Sequence, residues 1–103
     1  LAVDIELIGE RPSGTVDPAT PLIQRALAVT RLLGLTPQLD AASTDANVPI
    51  ADGTPAVTIG RGGTGGGSHS LDEWWAANDA HIGTERALLL LVASAGLADE
   101  LNP

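Results

Sequence analysis

Between positions 60 and 69 the sequence reads GRGGTGGGSH, with six glycines in eight positions followed by a serine and a histidine. Two kinds of chemistry use such a stretch. Where a glycine run follows a buried strand and precedes a helix, its uncovered backbone N–H groups can cradle a phosphate. Alternatively, an imidazole held by that backbone at the mouth of a site can bind a metal or carry a proton, with the glycines letting a substrate come close. The phosphate option has little support: no Gly-Lys-Ser/Thr follows, and Gly60-Arg61-Gly62-Gly63-Thr64-Gly65 meets GxGxxG only as any dense glycine run does. His69 is the residue of this stretch best suited to chemistry. Its bland alternative is a helix-end histidine bonded to backbone.

The composition limits what such a site can serve. The chain has 103 residues, 44% of them hydrophobic and 17% charged, which fits one small globular domain. A formal charge of −8, with five arginines and no lysine, opposes any broad hold on nucleic acid or an anionic membrane surface. Cysteine is absent, so a metal would need histidine and carboxylate ligands. The longest apolar run, residues 87–93, is far short of the ~20 that span a bilayer. No signal-peptide pattern opens the chain, and a soluble, cytoplasmic protein is expected.

The elements that must position His69 follow from periodicity. Residues 1–9, LAVDIELIG, alternate apolar and acidic side chains as a half-buried strand does. With no initiator Met, this start suggests a C-terminal piece of a longer chain, cut inside or beside a sheet. Prolines, a glycine and small polar residues make ERPSGTVDPAT a linker. Thr20 as cap, Pro21 at the first helical position, and Leu22, Ile23, Ala26, Leu27, Thr30 and Leu33 at helical spacing predict a helix ended by Gly34. A short strand is expected at residues 38–41, then a polar loop at 43–47 and one helical turn before Gly53. TPAVTIG reads as a buried strand leading into the glycine loop. Ser70 and Glu73 match a capping box, which predicts a helix from Leu71, with Trp74 and Trp75 packing it against the sheet. A last helix is expected over residues 82–95, ending at Gly96. This order predicts an α/β fold without internal repeats.

The segment STDANVPIADGTPAVTIGRGGTGGGSHSLDEWW, residues 43–75, resembles the C-terminal signature of the M20 family of zinc-dependent peptidases and amidohydrolases. That family includes peptidase T-like aminopeptidases, dipeptidases, glutamate carboxypeptidases and N-acyl-amino-acid deacylases. The resemblance is densest from Ser43 to Trp75, where a Gly-Thr-Asp-like loop, a Pro-Ala-Val strand and a glycine-rich approach to His-Ser occur in the family's order and spacing. VDIELIGERP is similar to the place where the family's inserted lid domain returns to the catalytic domain. The resemblance implies that residues 1–12 are the last lid strand and return linker. It makes residues 13–103 the C-terminal part of a three-layer αβα catalytic domain.

Roles carried over by that resemblance fall on a few residues. His69 matches the last metal ligand of a two-zinc site, for which cobalt or manganese can substitute. Arg11 matches an arginine that binds the substrate carboxylate, Thr44 and Asp45 match a loop beside the substrate, and Gly60 matches the strand end next to it. The remaining ligands and the general base lie upstream of the lid in such enzymes, so the chain alone is expected to be inactive. The implied reaction is metal-assisted hydrolysis of an amide in a small peptide or N-acyl amino acid with a free carboxylate. The implied partners are the N-terminal catalytic segment and a second copy joined through the lid.

Each role has a plainer rival. Glu73 is first a capping residue and only secondarily a hydrogen-bond partner for His69. Arg11 can pair with Glu10, Asp4 or Glu6 on a solvated strand, and Asp45 can be a turn residue. His81 follows no motif and reads as a surface group. The alternative for the whole protein is a non-catalytic binding or assembly module that keeps the fold without a metal site.

Overall fold

Helix α1, Pro21–Leu32, is started by chain stiffness and a local turn. Asp17 Oδ1 accepts from the Ala19 amide at 2.8 Å, and the Thr20 amide donates to the Asp17 carbonyl at 2.9 Å. This turn delivers Pro21 into the first helical position, where its missing N–H costs nothing. Thr20 occupies the cap position without a side-chain cap bond. The end is fixed by Gly34 at φ 78°: its amide donates to Arg31 O and the Leu35 amide to Thr30 O, the paired bonds of a Schellman motif. Helix α2, Asn47–Ala51, closes in the same way at Gly53, so the single turn expected there is present.

A computed structural model describes residues 1–97 as a small mixed helix–strand domain. Besides α1 and α2 it contains β1, Thr64–Gly66, β2, Trp74–Ala76, and α3, Ala80–Ala95. The two strands form an antiparallel hairpin with Thr64 opposite Ala76, Gly65 opposite Trp75 and Gly66 opposite Trp74. Helix α1 packs against α3. Ile23, Ala26 and Val29 of α1 and Leu90 of α3 are buried, and the hydroxyl of buried Thr30 donates to Ala26 O at 2.7 Å. Among the described residues no helix is long and apolar enough to cross a membrane.

Several expectations are corrected. Residues 1–9, 38–41 and 54–60 carry no β ladder. Alternation specifies two faces of a strand, but a ladder also needs a neighbouring edge, and residues 1–9 are solvent-exposed throughout. The helix expected from Leu71 is instead a turn leading into β2. Ser70 does not cap: its hydroxyl donates back to Gly67 O at 2.7 Å and accepts from the Asp72 amide at 3.2 Å. Glu73 therefore has no capping box to complete, and Trp74 and Trp75 lie on a hairpin strand, about half exposed, instead of under a helix. The last helix begins at Ala80, two positions before the predicted start.

Candidate functional site

Although rich in glycine, the 60–67 stretch is clamped from both sides. On one side stands α3. Gly83 approaches so closely that a Cβ there would collide with the Arg61 carbonyl, and a Cβ on Gly62 would fall 2.8 Å from Ala80 O. Further along α3, Arg86 Nη2 donates to Gly60 O at 2.7 Å. On the other side the hairpin holds it: Trp75 Nε1 donates to Gly62 O at 3.1 Å, and Thr64–Gly66 is itself a strand. The glycines thus serve close backbone approach, and the loop is ordered by its neighbours.

His69 sits in the hairpin connection, exposed, with φ 66°. A left-handed conformation costs a non-glycine residue about 1–2 kcal/mol. Consecutive turns hold it there, with the Ser70 amide donating to Gly67 O and the Glu73 amide to Ser70 O. Such strain persists where the surroundings over-determine the backbone, often at ligand clamps.

A second cluster gathers residues far apart in sequence. Arg11 Nη2 meets Asp45 Oδ1 at 3.1 Å, and Arg11 Nη1 donates to Ser43 Oγ at 3.2 Å. Thr44 accepts from the Thr58 hydroxyl at 2.8 Å and from the Ala46 amide at 3.3 Å. Asn47 bridges the cluster, accepting from the Thr44 amide and donating to Pro12 O. Three residues singled out in the sequence, Arg11, Thr44 and Asp45, therefore come together. The partner of Arg11 is Asp45, not the neighbouring acids Asp4, Glu6 or Glu10. His81 lies exposed on the first turn of α3.

Asn47, Trp75 and Arg86 carry much of this geometry and were not singled out as site residues. Only Arg86 left a signal, as a charge placed just before an apolar helical run. As for metal, His69 supplies one donor where a zinc site needs about four. Among the described residues no three histidines or carboxylates converge, so these residues alone do not compose a metal centre. No family model and no curated protein matches the chain.

Proposed function

We propose that the chain is the C-terminal portion of a cytoplasmic M20-type hydrolase that cleaves an amide bond in a small peptide or N-acyl amino acid with a free carboxylate. The observation that carries this reading is His69: an exposed imidazole in a strained turn, on a hairpin clamped by Trp75 and α3, inside a motif whose family uses that histidine as a metal ligand. In this reading the other ligands and the general base come from the N-terminal catalytic segment, and His69 would help hold one of two zinc ions whose chemistry would be the activation of a water. Arg11 receives the substrate carboxylate, exchanging Asp45 for it, while Thr44, Asp45 and Gly60 border the substrate.

Two further features support it. Helix α3 exposes Leu88 and Leu91 as well as burying Leu90, and a helix apolar on several sides belongs inside a larger core. Leu1, Val3, Ile5 and Leu7 are likewise exposed, as a lid strand lacking its sheet would be. The finer architecture, half of a three-layer αβα domain after the last lid strand, belongs to this proposal.

The test is His69→Ala in the intact protein. It should lose one of two bound zinc ions by elemental analysis and nearly all turnover, with the circular dichroism spectrum unchanged. Retention of both metals would overturn the assignment.

A further inference from the structure

The chain carries a net −8 with only five arginines, yet two of them, Arg61 and Arg86, line one open bowl of about 580 Å³ that contains no acidic lining residue. Both are held by their surroundings. Arg86 is part-buried on α3, with Nη2 committed to Gly60 O and Nε buried without an acceptor among the described residues, so its position is fixed. Arg61 lies with Cζ 5.5 Å from the centre of the Trp75 ring, a cation–π distance. That ring is in turn anchored through its indole N–H to Gly62 O. Among the described residues the ion pair of the chain is Arg11 with Asp45, so neither guanidinium of the bowl has a carboxylate partner.

We infer that this bowl binds a small oxyanion, a carboxylate or a phosphate group. Two guanidinium groups on one bowl repel a cation and favour an anion: Arg61, without a hydrogen bond among the described residues, offers the planar donor fork that matches an oxyanion, and Arg86 adds its charge. Gly62 and Gly63 line the bowl beside the two arginines, their backbone packed against α3 and the hairpin. Desolvation of Arg86 strengthens its pull compared with a fully hydrated charge. The site shares only Gly60 with the residues assigned to hydrolysis, and it requires neither metal nor turnover. Its failure is therefore separate from failure of the hydrolase reading.

The experiment is a titration of the ¹⁵N-labelled 103-residue chain, at constant ionic strength, with acetate and with inorganic phosphate. Sodium chloride serves as the control. The readouts are the Arg61 and Arg86 Nε–H resonances and the Trp75 indole N–H. Saturable shifts of these signals are expected with at least one oxyanion and not with chloride. Arg61→Gln should weaken them by about tenfold or more, the effect of losing a charge-assisted hydrogen bond. Tighter saturation by acetate assigns a carboxylate ligand, and by phosphate a phosphate ligand. Because the Arg61 side chain is exposed, this variant keeps the fold, which its amide spectrum verifies. Arg86→Lys, which keeps the charge but loses the planar group tied to Gly60 O, should also bind more weakly. If it unfolds, Arg61→Gln decides alone. Shifts that are linear and equal to those with chloride, or saturable shifts unchanged in Arg61→Gln, would overturn the site.

Discussion

Gly62 and Gly83 are reciprocal. A Cβ on either would crowd the backbone nitrogen of the other, at 2.9 Å from Gly62 to Gly83 N and 2.5 Å from Gly83 to Gly62 N, so the glycine loop and α3 touch backbone to backbone. This contact orders a stretch whose composition alone suggests mobility.

Gly83→Ala should therefore destabilise the domain even though alanine is the better helix former by up to ~1 kcal/mol. The collision with the Arg61 carbonyl forces loop and helix apart, at a net cost of about 1–3 kcal/mol. Thermal unfolding checks this against Gly9→Ala, a position with open space around it, which should change stability by less than about 0.5 kcal/mol.

His69 at φ 66° makes a second, sharper comparison. His69→Gly removes the left-handed strain while His69→Ala keeps it, so the glycine variant should be the more stable of the two by about 1 kcal/mol. Equal melting temperatures would show that the turn does not hold this conformation in solution.

Arg11→Lys in the intact protein should raise KM about tenfold for substrates with a free carboxylate, because one ammonium cannot replace a two-pronged guanidinium. Amide-capped analogues should be nearly unaffected. Equal effects on both substrates would reduce Arg11 to the tie with Ser43 and Asp45. The tie itself is solvent-exposed, and Asp45→Asn should leave the melting temperature unchanged.

The 103-residue chain supplied with zinc, cobalt or manganese should hydrolyse neither dipeptides nor N-acyl amino acids, since among the described residues no three histidines or carboxylates converge. Chelator-sensitive turnover by the purified chain would overturn the division of roles between its two parts.

Local signals were readable where local physics decides. Pro21, Gly34 and Gly53 marked helix limits because a fixed φ or a left-handed turn acts within a few residues. The Ser70–Glu73 pattern misled because the same hydroxyl can bond forward into a helix or back to Gly67 O, and the neighbouring hairpin chose the second. Strand β1 was invisible, since Thr-Gly-Gly has little strand preference and forms only opposite Trp74–Ala76. Of the candidate site, His69 and the polar loop at 43–47 stood out by type. The Arg11–Asp45 pairing and the Arg86 bond to Gly60 span 34 and 26 positions, beyond any periodicity.

The clamp on the glycine loop also sets an order of events during synthesis. Its fastenings, Gly83 and Arg86, leave the ribosome after the loop they secure, and the antiparallel strand that braces it also follows it in the chain. A nascent chain therefore carries the glycine loop braced by the hairpin alone until α3 has emerged. A truncation before Ala80 would keep the turns around the imidazole and lose the helix side of the clamp.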